Sequence, residues 1–196
     1  MKAVCIIGSP KEKGNTAFIV DEVIKGFHKN SIETKRYVLG NMNVNYCKGC
    51  EYCEKTRKCI QRDDMDELIE SIMNSEIILI ASPSYWGDVS GQLKVFIDRC
   101  LPLCNASTVS TPVPSGKIGI SMAIRRGSKK TENEHIIDTI NHLYSHLNIK
   151  PVYNMMIEKI GCIDDYKNHS DKIDEANKIG DICLLYTSPS PRDRTR

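Results

Sequence analysis

Residues 3–16 read AVCIIGSPKEKGNT, and the fold prediction starts from this stretch. Its first five residues are all apolar, as expected for a short strand buried on both faces of a parallel sheet. A loop with two glycines follows, and Val20, Val23, Ile24 and Phe27 then recur on one face of a helix. A buried strand, a glycine loop and an amphipathic helix, in this order, indicate the first unit of an α/β fold.

The rest of the chain repeats this alternation of strand and helix. Four further strands are predicted from mainly apolar runs at residues 32–39, 77–81, 117–124 and 151–160. The first of them is more polar than the others, so we expect it at an edge of the sheet. Five strands alternating with helices predict a parallel, doubly wound sheet with helices on both of its faces.

The helices between these strands are predicted from caps and apolar periodicity. Asp64 and Glu67 have the spacing of a capping box at the start of a helix over residues 65–73. Two further helices follow from apolar stripes, one through Leu93, Phe96, Ile97, Cys100 and Leu101 and one through residues 136–147. A last helix is predicted from about residue 170. Residues 102–116 are rich in Ser, Thr and Pro and are predicted to form a loop long enough for a lid or a partner contact.

Length and composition favour one soluble domain. The chain has 196 residues, of which 40% are hydrophobic and 27% charged, as in ordinary globular proteins. It has no apolar run near the roughly 20 residues that a membrane-spanning helix needs, so no membrane association is expected. Nine cysteines without a secretory signal indicate a reducing compartment, which predicts a cytoplasmic protein.

The composition changes abruptly after residue 183. Residues 184–196 read LLYTSPSPRDRTR, which resembles translated adapter or vector sequence, and are predicted to be a non-native disordered tail. The predicted domain is therefore residues 1–183. Without the tail, 24 basic and 24 acidic residues remain, so the charge gives no reason to expect a nucleic-acid partner.

The loop at residues 8–16 has the features of a phosphate-binding loop. Ligands of open parallel sheets bind beyond the carboxyl ends of the strands, where the strand order reverses, which points to residues 8–16, 82–91 and 125–130. In the first of these loops two glycines permit tight turns, and Ser9, Asn15 and Thr16 offer short polar side chains at a helix N-terminus. The pattern matches neither the P-loop nor the dinucleotide fingerprint, and a plain helix N-cap is the alternative.

The second loop carries two adjacent aromatic residues. Residues 82–99 read SPSYWGDVSGQLKVFIDR and place Tyr85 and Trp86 at the predicted ligand edge of the sheet. Such a pair suits a flat, polarizable ring like that of a flavin. Alternatively, one ring covers a helix and the other packs in the core.

Four cysteines lie within thirteen residues, in the run CKGCEYCEKTRKC at positions 47–59. Spacing this tight is typical of ligands of an iron–sulfur cluster, and Gly49 relieves crowding within the run. A structural zinc site is disfavoured because its paired cysteines are normally separated by a longer excursion. Free thiols or a redox disulfide remain open. Of the other cysteines, Cys5 and Cys100 are expected in the core, whereas Cys104, Cys162 and Cys183 have no recognisable partner.

Three motifs together resemble the NADPH-dependent FMN reductase family, and specifically its iron–sulfur flavoprotein branch. They are G-S-P-x-x-x-G-N-T, then P-x-Y-W followed by G-Q-L-K-x-F-I-D-R, and the cysteine run ending in DDM, and the similarity spans roughly residues 1–183. The resemblance implies a flavodoxin-like fold. It also implies FMN contacts from Ser9, Lys11, Asn15, Thr16, Pro83, Ser84, Tyr85 and Trp86. The implied ligands of a 4Fe–4S cluster are Cys47, Cys50, Cys53 and Cys59. The third loop departs from the pattern, with Arg125, Arg126 and Gly127 where relatives often carry glycines.

The resulting functional expectation is an FMN-dependent oxidoreductase. NAD(P)H, or a ferredoxin-type protein acting through the cluster, would supply electrons, and a quinone, free flavin, oxygen or another small molecule would accept them. The family resemblance further implies a homodimer. The alternatives are a flavin dehydrogenase of an organic intermediate and a non-enzymatic electron carrier or redox sensor.

Overall fold

The computed structural model describes residues 1–105 and 110–187, and this part of the chain alternates strand and helix as predicted. The strands are Lys2–Ile7 (β1), Glu33–Val38 (β2), Ile77–Pro83 (β3), Ile118–Ile124 (β4) and Lys150–Ile157 (β5). The helices are Asn15–Lys29 (α1), Tyr52–Thr56 (α2), Met65–Met73 (α3), Gly91–Arg99 (α4), Lys130–His146 (α5) and Ser170–Thr187 (α6). The short helix α2 lies inside the cysteine run and was not predicted from the sequence.

The strands of the described residues form one sheet in the order β2-β1-β3-β4-β5, and every neighbouring pair is parallel. This is the flavodoxin-like arrangement, in which the strand order reverses between β1 and β3. The predicted fold class is therefore confirmed, as is the position of β2 at an edge. The reversal brings the loops after β1 and β3 side by side at the carboxyl edge of the sheet.

Two hydrophobic cores lie on the two faces of the sheet. One contains buried residues of α1 and α6, and the other contains buried residues of α3, α4 and α5. Helices α1 and α6 approach each other at Gly26, where an added Cβ atom would lie 2.3 Å from the carbonyl oxygen of Asn177.

The predicted tail begins inside α6. Buried Cys183 belongs to the core that contains α1 and α6, and α6 continues to Thr187, so the first four residues of the predicted tail are helical. The foreign origin of the tail stays a prediction, and residues 188–196 lie outside the described part.

Two details of the predicted helices are wrong. Helix α3 begins as expected, but neither Asp64 nor Glu67 caps it: Asp64 accepts a hydrogen bond from the backbone of Asn43, and Glu67 accepts one from the hydroxyl of Tyr37. Leu101 was expected on the buried stripe of α4, yet it is half exposed because the helix ends at Arg99. Tertiary partners for the two carboxylates and the early end of α4 explain both differences.

The described residues contain no helix that is long and apolar enough to cross a membrane. In the predicted loop of residues 102–116, positions 106–109 lie outside the described part, so its suggested role as a lid or partner contact stays a prediction.

Candidate functional site

The loop after β1 is attached to its neighbours by short hydrogen bonds. The backbone N–H of Gly8 donates to the carbonyl of Ala81 in β3 (2.8 Å), and the hydroxyl of Ser90 donates to the carbonyl of Gly8 (2.5 Å). The same Ser90 oxygen accepts from the backbone N–H of Leu93 and so caps α4. These bonds fix the start of the predicted phosphate loop against β3 and α4, at the point where the strand order reverses.

Replacing Gly8 with alanine is expected to destabilise the protein. An added Cβ atom would lie 2.9 Å from Cβ of Leu93 and 3.1 Å from Oγ of Ser90. Displacing well-packed atoms in this way costs about 1–3 kcal/mol, measurable by urea denaturation. Gly91→Ala is the matched control, because nothing lies within 4 Å of the added atom. Equal stability of the Gly8 and Gly91 variants would contradict the close packing.

The N-terminus of α1 is open to an anion. Its N-cap is Gly14, no side chain of the described residues caps it, and its first turn contains no acidic residue. The amide groups of the first helical turn have no intrahelical partners and lie at the positive end of the helix dipole. A phosphate group at this position would satisfy them, which favours phosphate binding over the plain N-cap interpretation.

Of the predicted FMN contacts, Asn15 and Thr16 begin α1, and Ser9 and Lys11 lie in the loop before it. Ser9 and Thr16 are buried, and the Ser9 hydroxyl accepts a hydrogen bond from the backbone N–H of Lys11 (3.1 Å). The Lys11 side chain is exposed. The Asn15 side chain donates to the carbonyl of Ile160 (3.3 Å), which links the start of α1 to the loop after β5. Ile160, in the loop after β5, was not singled out from the sequence.

The loop after β3 presents its aromatic residues to solvent. The backbones of Tyr85 and Asp88 exchange hydrogen bonds of 3.0 and 3.2 Å, which closes a tight turn. Trp86, within this turn, has a left-handed backbone (φ 56°) and a fully exposed side chain, and Tyr85 is 44% exposed. The alternative that one of the rings packs in the core is therefore wrong. Pro83 ends β3, and Ser84 is held by a bond from its N–H to the carbonyl of Ile124 (2.8 Å).

The third loop contributes an arginine that is fixed by its own neighbours. Arg125 pairs with Glu132 (2.9 Å) and donates to the carbonyl of Lys129, while its buried Nε has no hydrogen-bond partner among the described residues. Glu132 also lies against the second loop and leaves little room for a side chain at Gly87. A Cβ atom added at Gly87 would lie 3.1 Å from Cγ of Glu132. The charge of Arg125 is thus largely balanced, whereas the neighbouring Arg126 is exposed.

The cysteine loop (residues 47–60) is closed by a hydrogen-bonded base (residues 43–46 and 61–64). In this base, the backbone of Asn43 bonds with Asp64, the backbone and side chain of Asn45 donate to Asp63, and Gln61 donates to the carbonyl of Tyr46. Left-handed backbone at Gly49, Glu51 and Arg57 turns the chain back on itself on both sides of α2. As a result, the ends of the loop meet and its cysteines surround a common space.

All four cysteines of the run line one cavity of about 360 Å³. Cys47 and Cys50 are exposed, and Cys53 and Cys59 are half-buried. Burial raises the pKa of the Cys53 thiol, and the nearby sulfurs of Cys59, Cys47 and Cys50 raise it further. Among the described residues, however, no three metal-binding side chains lie close enough together to share a single ion.

A buried ion pair joins the base of the cysteine loop to α4. Arg99 makes a two-pronged contact with Asp63, with nitrogen–oxygen distances of 2.7 and 2.9 Å, and both side chains are 1% exposed. One guanidinium nitrogen also donates to the backbone carbonyl of Asn45 (2.7 Å). Arg99 therefore binds residues on both sides of the cysteine loop.

Sequence reasoning missed Arg99, which binds the base of the cysteine loop, and Cys104, which lines its cavity. Arg99 was not singled out, although an arginine that follows an apolar helical stripe and a DD pair after the last cysteine were both visible. Cys104 appeared to lack a partner, yet it lines the same cavity, and its sulfur lies 3.6 Å from Nδ1 of His146. Their separation in sequence, 42 positions, hides this pair from any local pattern.

Comparison with known proteins gives the family. Residues 1–155 match the NADPH-dependent FMN reductase family. The chain belongs to this family. An iron–sulfur flavoprotein of Archaeoglobus fulgidus is 36% identical over 152 residues, which cover 78% of this chain and 66% of that protein. Another, from Methanocaldococcus jannaschii, is 35% identical over 136 residues, covering 69% of each. The chain thus spans about two thirds of the length of these relatives.

Solved flavoprotein structures share the fold of this family member. An NAD(P)H:quinone oxidoreductase from Methanothermobacter marburgensis superimposes with a TM-score of 0.72 at 13% identity, covering 92% of this chain and 95% of the other. An FMN-dependent NADH-azoreductase from Bacillus anthracis, solved with FMN, gives 0.71 at 12% identity, covering 92% and 98%. At these identities the likeness shows a shared flavodoxin-like fold and no more.

Proposed function

We propose that this chain is an FMN-dependent oxidoreductase that takes electrons from NAD(P)H or a ferredoxin-type protein and passes them to a small organic acceptor such as a quinone. We further propose that Cys47, Cys50, Cys53 and Cys59 carry a 4Fe–4S cluster. The observation that carries both proposals is the presence, in one domain, of an open helix N-terminus at the strand-order reversal and a single cavity lined by the four cysteines.

The residues at the sheet edge fit FMN. The phosphate would meet the uncapped N-terminus of α1, with Ser9, Thr16 and the Lys11 side chain beside it. The exposed rings of Tyr85 and Trp86 would then border the isoalloxazine, together with the neighbouring Pro83 and Ser84. When bound, FMN supplies the hydride and single-electron chemistry, and the protein supplies binding, orientation and electrostatics.

The spacing of the cysteine run suits a cluster better than a zinc ion. The paired cysteines of a structural zinc site are normally separated by a longer excursion than this run provides. In a 4Fe–4S cluster each thiolate binds a different iron, so four sulfurs placed around one larger space suit it. Lys48 and Arg57, which line the cavity, would offset the charge of the thiolates. Free thiols are the remaining alternative.

Titration of the iron-free protein with FMN is expected to quench its tryptophan fluorescence. Trp86 is the only tryptophan, and its indole is fully exposed at the proposed flavin edge. Stacking on FMN should remove roughly half or more of the emission at saturation, at one FMN per chain. A Ser9→Tyr variant, with its phosphate loop blocked, is the control that should lose this response. Unchanged Trp86 emission at saturating FMN would remove the proposed ring contact.

Activity is tested by anaerobic purification followed by iron, sulfide and flavin analysis and steady-state NAD(P)H oxidation with quinone acceptors. The oxidoreductase proposal requires bound FMN and turnover with a small acceptor. Protein that takes up no FMN would overturn it, whereas flavin without iron would overturn the cluster alone. Turnover that requires an added organic intermediate would instead identify a dehydrogenase.

An electron carrier or redox sensor is the second candidate. It is favoured by the exposure of Cys47 and Cys50 at the mouth of the cavity, where a protein partner could approach. Exposed apolar residues beside the cavity, Tyr46, Ile60 and Leu101, are consistent with this role and with the proposed homodimer. A carrier would show little turnover without its protein partner, which separates it from the enzyme.

We also propose a cytoplasmic location, where a reducing environment would keep the thiols available.

A further inference from the structure

We propose that His142 and His146 form a binding site for a divalent transition-metal ion such as Zn²⁺, and that Cys104 orients one of the two imidazoles. The site uses none of the four cysteines of the proposed cluster and no residue of the proposed flavin site, so it does not depend on either assignment. The ion would be exchangeable, because only two protein side chains would hold it.

The two histidines face each other at the C-terminal end of α5. They are four residues apart, a spacing that places two side chains on one face of a helix. Their rings meet edge to face with centroids 4.7 Å apart, and their Nε2 atoms lie 3.2 Å apart. Zinc binds each imidazole nitrogen at about 2.0–2.1 Å, so two nitrogens on one ion lie about 2.9–3.4 Å from each other. The observed separation is therefore the one that a shared ion requires.

The sulfur of Cys104 favours the form of His146 that can bind a metal. It lies 3.6 Å from Nδ1 of His146, within hydrogen-bonding distance for sulfur. A proton on Nδ1 that is directed to this sulfur leaves the Nε2 lone pair unprotonated on the side of His142. Metal-binding histidines almost always use their second ring nitrogen in this way, and the partner of that nitrogen fixes the orientation of the ring.

Cys104 is itself held by hydrogen bonds on both sides. Its carbonyl accepts from a guanidinium nitrogen of Arg57 (2.7 Å), and the next residue, Asn105, donates its backbone N–H to the carbonyl of His146 (2.8 Å). The second bond attaches the segment that carries Cys104 directly to the end of α5. The sulfur and the imidazole are thus positioned without help from an ion.

The surroundings favour an exchangeable cation. His142 is exposed and His146 is half-buried, so an ion can reach both rings from solvent. The C-terminal end of a helix carries partial negative charge, which stabilises a bound cation. Since no set of three metal-binding side chains occurs in the described part of the chain, water or an external ligand would occupy the other coordination positions. Imidazole ligands suit Zn²⁺, Cu²⁺ and Ni²⁺ better than Mg²⁺ or Ca²⁺.

The test is a titration of anaerobically purified protein with Zn²⁺, in which ¹⁵N-labelled histidine rings are followed by NMR. We expect the Nε2 signals of His142 and His146 to shift together and to saturate at the same Zn²⁺ concentration. His28 is the internal control and should not shift, because it is exposed on α1 and has no histidine, cysteine or acidic residue three or four positions away. Zinc taken up by the cysteines alone would leave both signals unchanged and would overturn the inference, as would separate saturation of the two histidines.

Two variants then test the shared ion and the role of Cys104. In His142→Gln, a change at an exposed position, the signal of His146 should no longer respond at the concentrations that saturate the wild type. In Cys104→Ala, the affinity for Zn²⁺ should fall about tenfold, as when the partner of a metal-binding histidine is removed. An unchanged response of His146 in His142→Gln would overturn the site, and wild-type affinity in Cys104→Ala would overturn the orienting role of Cys104. Neither result would bear on FMN or on the cluster, whose contents are measured separately.

Discussion

Under the proposed cluster assignment, Cys53→Ser is expected to carry no iron or sulfide but to bind FMN as the wild type does. Cys53 lies on α2, half-buried, and lines the cavity together with the other three cysteines of the run. Serine offers a harder oxygen that binds iron of such clusters poorly compared with a soft thiolate. The phosphate loop and the aromatic turn belong to other parts of the sheet edge, so flavin content should stay at the wild-type level.

Iron, acid-labile sulfide and FMN measured per chain in anaerobically purified protein check this expectation. Cys104→Ser is the matched control, because Cys104 lines the same cavity but lies outside the run, and it should keep its iron. Full iron content in Cys53→Ser would refute the ligand assignment. Equal iron loss in the two variants would place Cys104 among the ligands instead.

Breaking the buried ion pair is expected to have the largest effect on stability. In Arg99→Met, Asp63 would remain buried without its partner, and removing one member of such a pair costs about 3–5 kcal/mol. Asp98→Asn is the control on the same helix: Asp98 and Lys94 form an exposed pair (2.5 Å), and removing it should cost at most about 1 kcal/mol. The free energy of unfolding from urea titrations of the two variants gives the comparison. Similar values would contradict the importance of the buried pair.

The same pair predicts a dependence of stability on pH. Burial alone would raise the pKa of Asp63, but hydrogen bonds from Arg99 and Asn45 and from the backbone N–H of Met65 hold it well below its usual value. The unfolded carboxyl group has a pKa near 3.9, so the stabilisation is complete above about pH 5 and is lost as the pH falls further. Asp63→Asn should be less stable than wild type at pH 7, and the difference should shrink in acid. A constant difference between pH 7 and 3 would contradict this assignment.

The fold was predictable because local and long-range patterns agree. The apolar runs of β1 and β3 and the stripe of α1 each specify one element, and together they require a parallel sheet with an edge strand at β2. The loops chosen at the carboxyl edge of that sheet are the ones that the structure brings together. The predictions that were wrong concern details set by tertiary contacts, namely the hydrogen-bond partners of Asp64 and Glu67 and the exposure of Leu101.

The candidate site was predictable only where its residues are close in sequence. The cysteine run and the Tyr85–Trp86 pair can be recognised directly in the sequence. The structure places the cysteine run at a cavity and the aromatic pair at the sheet edge. Arg99, by contrast, reaches Asp63 across 36 positions, and Ile160 meets Asn15 across 145. Such contacts depend on how helices and loops are arranged around the sheet, and the periodicity of the sequence does not predict them.

The closed base of the cysteine loop determines which residues would have to be moved to transfer this loop into another flavoprotein. Because residues 43–46 and 61–64 run side by side, everything between them could be exchanged for a short turn while leaving the strand order untouched. Residues 47–60 alone would nevertheless not keep their conformation in an iron-free flavoprotein. They would need Asp63 and, on a separate helix, Arg99, so the smallest transferable unit comprises two pieces of chain rather than one.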